Sequence, residues 1–276
     1  MQLMRARSRG KTVTSRVTRA VRLSRLIVHF VLGILIQALI FPWVDAAREL
    51  RIIRWWSSRI LAILNVRIHV KGSVPRGRKP VVIVANHVSW LDVWVILAVC
   101  PLRFVAKSDI RHWPLAGWLV AHAGTVFIER TRRHDTARIN TLIGDVLRRG
   151  ERIGLFPEGT TTDGSHLRPF HASLFQPALS VSATVVAAAI RYPKRDGSPN
   201  LDIAYTGNRS LLESLRLILR QPVLRVDLMF AGSTEASGKT RHDLARETRA
   251  LIASALGFSV PGSAPETSAD PPAVVP

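Results

Sequence analysis

The sequence predicts an α/β fold, a mixed, mostly parallel sheet flanked by helices, preceded by an N-terminal membrane-associated helical element. Three observations predict it. From Val66 onward, short Val/Ile-rich runs alternate with longer stretches of helical periodicity, the pattern of strands and helices that cover a sheet on both faces. Several runs, 81–85 and 184–190 among them, are solidly apolar rather than alternating, as strands buried on both faces are. Finally, an arginine-rich stretch runs directly into the apolar segment 26–44, a juxtaposition suited to anionic lipid.

The chain has 276 residues, 47% of them hydrophobic, and a formal charge of +20. That length allows one large domain or two small ones with a sizeable core. The simplest division is a basic arm over 1–25, an anchor and amphipathic helix over 26–65, an α/β domain over 66–258 and a disordered tail over 259–276. The charge attracts either nucleic acid or an anionic membrane. Its placement separates the two. Arg5, Arg7, Arg9, Lys11, Arg16, Arg19, Arg22 and Arg25 form an arm with no acid among them, and residues 26–44 behind it carry no charge beyond a neutral His29. Nucleic acid accounts for the arm but not for the apolar stretch. A single cysteine, Cys100, excludes an internal disulfide and a cysteine-based zinc cluster. Its apolar surroundings read as a buried structural thiol.

Taken in order, residues 26–44 are just long enough to cross a bilayer core of about 30 Å, with Pro42 marking the end. A cleaved signal peptide is the competing reading. The long basic region and the lack of a clean small-residue cleavage site favour a retained anchor, with the arm on the cytoplasmic side. Residues 46–64 form an amphipathic helix. Leu50, Ile53, Trp56, Ile60 and Leu64 share one face, and Arg48, Arg51, Arg54 and Arg59 lie opposite. That arrangement suits a headgroup layer, and equally a surface helix packed on the core. Strands are predicted at 67–71, 81–85, 103–106, 125–129, 152–156, 184–190, 201–205 and 224–229. Helices are predicted at 93–99, 135–149, 170–180, 211–219 and 240–256. The last residues are rich in Pro, Ser and Ala without periodicity.

Three segments carry chemistry. The first is Asn86-His87-Val88-Ser89-Trp90-Leu91-Asp92. At a strand-to-helix turn, Asp92 can reach one ring nitrogen of His87, and the other nitrogen is then free to accept a hydroxyl proton. The spacing alone is weak. With 9 histidines and 19 acids, chance supplies roughly 0.6 such pairs. What adds weight is the run 81–84, which delivers His87 to the carboxyl end of a strand, where α/β sheets place their sites. Asn86 and Ser89 can brace the turn. The second segment is Phe156-Pro157-Glu158-Gly159-Thr160. Its proline ends a ladder, and its glycine lets backbone approach a ligand. It reads as an anion-holding loop or as a plain polar turn. The third is Gly124-Thr125-Val126-Phe127-Ile128-Glu129-Arg130, a strand that brings an arginine to the same edge.

Together these segments resemble the glycerolipid acyltransferase family, the lysophosphatidate acyltransferase group. Asn86-His87 to Asp92 matches the family's Asn-His-x4-Asp block. Gly124 to Arg130 matches Gly-x-x-Phe-Ile-x-Arg, and Phe156 to Thr160 matches Phe-Pro-Glu-Gly-Thr. The resemblance implies an enzyme moving an acyl chain from acyl-carrier protein or coenzyme A to the hydroxyl of a lysophospholipid. His87 would be the base and Asp92 its partner. Asn86, Phe127, Arg130, Glu158, Gly159 and Thr160 would serve the acceptor. No metal or cofactor is implied, and the partners are membrane lipids and the thioester carrier, not nucleic acid; no oligomeric state follows. The implied location is the cytoplasmic membrane, with the catalytic domain on its cytoplasmic face. Two departures matter. Members acting on lysophosphatidate often carry an arginine after Pro-Glu-Gly-Thr, whereas here Thr161-Thr162-Asp163-Gly164 follows. A fourth block usually holds a proline where Ala187 stands. The first departure opens the acceptor to a lysolipid without a phosphomonoester. The Thr-Thr-x-Asp-Gly run with Arg168-Pro169-Phe170 resembles members acting on lyso-ornithine lipid.

Overall fold

The structure, a computed structural model, describes residues 13–74, 79–107, 126–128, 133–207 and 209–259. Among the described residues seven strands form one sheet: β1 (Val66–Lys71), β2 (Val81–Ala85), β3 (Arg103–Lys107), β4 (Val126–Ile128), β5 (Arg152–Leu155), β6 (Thr184–Arg191) and β7 (Leu224–Glu235). Their spatial order is β1-β7-β6-β2-β5-β3-β4. All neighbours are parallel except β6 and β7, which run antiparallel. The mixed, mostly parallel sheet is therefore as expected, and β1 and β7 run against the other five strands.

β2 lies at the centre, and all five of its residues are buried. Because side chains alternate between faces, Val81, Ile83 and Ala85 enter one apolar cluster, and Val82 and Val84 enter the other. The first cluster is covered by α1 (Arg16–Leu39), α2 (Ala46–Ile63), α3 (Leu91–Val99) and the buried Ile218 and Leu219 of α6 (Leu211–Arg220). The second is covered by α4 (Arg133–Arg148), α5 (Gln176–Ser180) and α7 (Arg241–Leu256). This three-layer arrangement places the carboxyl end of β2 between the two helix layers.

The N-terminal helices are fastened to the sheet layer. The segment Arg16–Trp43 is long and apolar enough to cross a bilayer, and it exposes Ile27, Val28, Val31, Leu35 and Leu39. Yet α1 is held along its length. Thr14 donates to the carbonyls of Arg220 and Leu219, and Arg22 donates to those of Gln221 and Pro222. Further along, the ring of His29 stacks on Trp56 of α2, with centroids 4.9 Å apart. The indole Nε1 of Trp56 donates to the His29 carbonyl, and His29 Nε2 lies 2.9 Å from the Trp56 carbonyl. α2 is tied down in turn by Arg103 of β3, which donates two bonds of 3.1 Å to Glu49 and a third to Glu151.

Three expected elements differ. Residues 201–205 are not a strand. Leu201, Asp202 and Ile203 form a turn, and the Tyr205 amide donates to the Val88 carbonyl, so this backbone braces the loop after β2 instead of extending a ladder. The helix expected over 170–180 is a 3-10 turn, Ala172–Phe175, running into the short α5, in which Pro177 can stand only in the first turn. The helical segment also begins at Arg16, within the stretch read as a basic arm.

Candidate active site

The last residues of β2 and the first turn of α3 form a tight loop around one carboxylate. Asp92 is wholly buried. Its Oδ2 accepts from the amides of Val88 at 2.7 Å and Ser89 at 2.9 Å and lies 2.9 Å from His87 Nδ1, while its Oδ1 accepts from the Tyr192 hydroxyl at 2.6 Å. The Asp92 amide completes the loop by donating to the Ser89 carbonyl. This is why an acid five residues after the histidine can reach it: the chain turns back before the helix starts, and the helix N-terminus favours negative charge there. A carboxylate accepts and does not donate, so Nδ1 carries the proton of the neutral ring. The Nε2 lone pair then has no hydrogen-bond partner among the described residues, and the side chain keeps 19% of its surface exposed.

The His87 ring is fixed by stacking as well. It lies on Phe156 with centroids 4.0 Å apart and an interplanar angle of 14°, and Phe156 stacks on Phe104 at 5.2 Å. The imidazole therefore has its plane set by a column of rings and its rotation set by Asp92.

Asn86 locks the loop to the neighbouring strand. Its Nδ2 donates to the Ile190 carbonyl at 2.9 Å, and its Oδ1 accepts from the Ile190 amide at 2.7 Å. Asn86 thus extends the β2–β6 pairing by a side chain. Tyr192, two residues further on, is then in reach of Asp92. Burial, then the adjacent Asp92 carboxylate, pushes the Tyr192 hydroxyl well above its ordinary pKa, so it remains a hydrogen-bond donor.

Glu158, after β5, is buried, and its oxygens meet backbone. Oε1 accepts from the His87 amide at 2.9 Å and Oε2 from the Arg168 amide at 3.0 Å. Burial raises its carboxyl pKa, against the pull of those two amides and of the nearby His87 and His166. Gly159 follows with φ +70°, a left-handed turn that glycine adopts without strain, and Thr160 is exposed. Thr162 is buried, and its amide donates to the His87 carbonyl at 2.8 Å. The Thr161 hydroxyl donates to the Tyr205 carbonyl. The loops after β2 and β5 are therefore bound to each other through Glu158, Thr162 and His87.

His87, Asp92, Asn86, Glu158 and Gly159 meet at one edge. Phe127 lies in β4, and Arg130 lies outside the described residues. Sequence reasoning missed Tyr192, the Phe104–Phe156 column and the bracing backbone of Tyr205. A tyrosine just past a strand buried over its first seven residues is a signal for the first, because a buried phenol needs a partner.

Residues 65–191 match the model of the Acyltransferase family. The chain is 40% identical over 206 residues to the lyso-ornithine lipid O-acyltransferase of Pseudomonas aeruginosa, covering 75% of this chain and 78% of that protein. It is 34% identical over 205 residues to the 1-acyl-sn-glycerol-3-phosphate acyltransferase of Neisseria meningitidis, covering 73% and 80%. The fold is similar to the crystal structure of the 1-acyl-sn-glycerophosphate (LPA) acyltransferase PlsC from Thermotoga maritima, with a TM-score of 0.61 at 19% identity over 87% of this chain and 96% of that one.

Proposed function

The chain belongs to the acyltransferase family, and from that premise we propose that it moves a fatty acyl chain from a thioester to the hydroxyl of a lysolipid, with His87 as general base. The observation that supports this most is the His87–Asp92 pair: Nδ1 anchored to a buried carboxylate, Nε2 uncommitted, the ring fixed in plane. Nε2 takes the hydroxyl proton as the lysolipid oxygen attacks the thioester carbonyl. The tetrahedral intermediate collapses with loss of thiolate, and the imidazolium returns the proton to that sulfur. One C–O bond forms and one C–S bond breaks, without a covalent enzyme intermediate. Asp92 orients the ring and stabilises the imidazolium. Asn86 and Glu158 hold the loop that carries it. Gly159, Thr160, Phe127 and Arg130 serve the acceptor, as the family blocks they belong to imply. No cofactor takes part; acyl-carrier protein or coenzyme A supplies the thioester. The exposed apolar face of α1 seats the enzyme on the membrane, and the basic arm places the catalytic layer on the cytoplasmic side.

The acceptor is narrowed by Thr161. It stands where family members acting on lysophosphatidate often carry arginine, and its hydroxyl turns inward to the Tyr205 carbonyl. A lysolipid without a terminal phosphate, such as lyso-ornithine lipid, fits that position, and the Pseudomonas relative bears that name. The purified full-length protein would be given labelled acyl-carrier protein or acyl-coenzyme A with lyso-ornithine lipid, lysophosphatidate or lysophosphatidylcholine in parallel. The expected result is ester formation abolished by His87→Ala, with lyso-ornithine lipid the best acceptor. No acylation of any lysolipid from either donor overturns the reading, and a preference of about tenfold for lysophosphatidate overturns the acceptor assignment alone.

A further inference from the structure

Among the described residues, one face of the sheet is exposed at its β1 edge. Val66 and Ile68 pack toward the apolar cluster that holds α2, so Arg67, His69 and Lys71 project from the opposite face and are exposed. In β7, Leu224, Val226 and Leu228 are buried in that same cluster, and Arg225 is exposed on the face of Arg67. The parallel register sets Arg67 directly opposite Arg225. Like charges placed so destabilise a sheet, and neither guanidinium has an ion pair among the described residues. Two positions along, Asp227 is engaged by Arg191 at 2.8 Å and lies 3.4 Å from His69 Nδ1. Among the described residues there is a counter-charge for Arg191 but no ion pair for Arg67, Arg225 or Lys71. Facing arginines without a partner among the described residues point to an anion from outside.

The patch lies at the edge that carries His87. Asn86 pairs with Ile190, so Arg191 stands one strand from the loop that bears the base. Asp227 is opposite Arg191, and because β7 runs against β6, Arg225 lies beyond it toward the carboxyl edge of β2. With strands about 4.8 Å apart, β7 is about 10 Å from β2 across the sheet. The patch also faces away from α1 and α2, whose exposed apolar residues mark the other side. That favours a soluble partner over a bilayer.

We propose that Arg67, Arg225, Lys71 and Arg191 form the docking face for an acidic protein surface, that of the soluble carrier delivering the acyl thioester. Docking there brings a flexible thioester arm toward the partly exposed His87 ring from the side opposite the membrane helices. This assignment rests on the acyl-transfer reading above and names the partner of that same site.

The test uses the full-length protein and the paired reversal Arg67→Glu with Arg225→Glu, with Arg67→Lys and Arg225→Lys as the charge-keeping control. Acyl transfer to a lysolipid is measured with an acyl chain on an acidic carrier protein and with the same chain on neutral pantetheine. The expected result is a rise of about tenfold or more in KM for the carrier-bound donor, little change in kcat, no change with the pantetheine thioester, and near wild-type behaviour of the lysine pair. An equal change with both donors, or no change with either, overturns the proposal while leaving the acyl-transfer reading intact. Wild-type turnover with acyl-coenzyme A but none with the carrier-bound donor also overturns it. So does loss of binding to phosphatidylglycerol vesicles in the reversed protein, which assigns the face to the membrane.

Discussion

After β2, Asp92 directs an oxygen to a side chain able to move a proton. After β5, Glu158 directs both oxygens to backbone amides. Both acids are buried at the same edge, both come from loops resembling family blocks, and both touch His87, one at its ring and one at its amide. The difference is that the first carboxylate meets an imidazole, the proposed base, and the second bonds only to backbone that holds that loop in shape. An acid in a motif is therefore not evidence of contact with substrate; what its oxygens accept decides its role.

Four substitutions break or sharpen this contrast. His87→Ala has the largest expected effect: loss of a general base lowers the rate by about 10²–10⁴. Because the ring is partly exposed and, among the described residues, is held by Asp92 and Phe156, denaturant unfolding should shift little. A large fall in stability would move His87 to the structural side of the comparison. Asp92→Asn comes next. The amide reaches His87 Nδ1 or the loop amides with its oxygen but presents an N–H₂ to the remaining donors. Turnover should fall by about 10²–10⁴, and unlike His87→Ala this variant should also unfold more readily, by about 1–3 kcal/mol. Glu158→Gln tests the second loop. Glutamine keeps one acceptor oxygen and turns a donor toward the other amide, leaving a buried N–H unpaired at a cost of about 1–3 kcal/mol. Stability should fall first and activity with it; full stability with lost turnover would place Glu158 on substrate. Tyr192→Phe is expected to be mildest, since three bonds to Asp92 remain. Loss of one bond, about 1 kcal/mol, corresponds to about a fivefold slower rate, read by single-turnover transfer.

Much of the fold could be read from residue patterns because the central strands announce themselves. Val81-Val82-Ile83-Val84 is apolar on both faces, and so is most of β6. The amphipathic stripe Ile53, Trp56 and Ile60 marks the buried face of α2. Residues 201–205 misled for a physical reason. Ile203 and Ala204 are buried as strand residues are, but burial does not reveal whether the backbone bonds sideways to a strand or to a loop. Within the site, His87 and Asp92 were legible because their partnership is local. Tyr192 was not, because it lies 100 positions from Asp92 and only the Asn86–Ile190 pairing brings it there. Phe156 was read as motif spacing, while its ring stacking depends on Phe104 from another strand.

The fastening of α1 carries a mechanical consequence. Bonds from Thr14 reach the end of α6 and those from Arg22 the turn that follows it, and His29 and Trp56 clasp each other across α1 and α2. Helix and sheet layer are thus tied together at both ends of this stretch of α1. With α1 as the membrane element proposed above, its tilt in the lipid becomes the tilt of the loop that carries His87. Bilayer thickness and packing would then act on the enzyme as a dial, setting the height at which the imidazole meets a lysolipid hydroxyl.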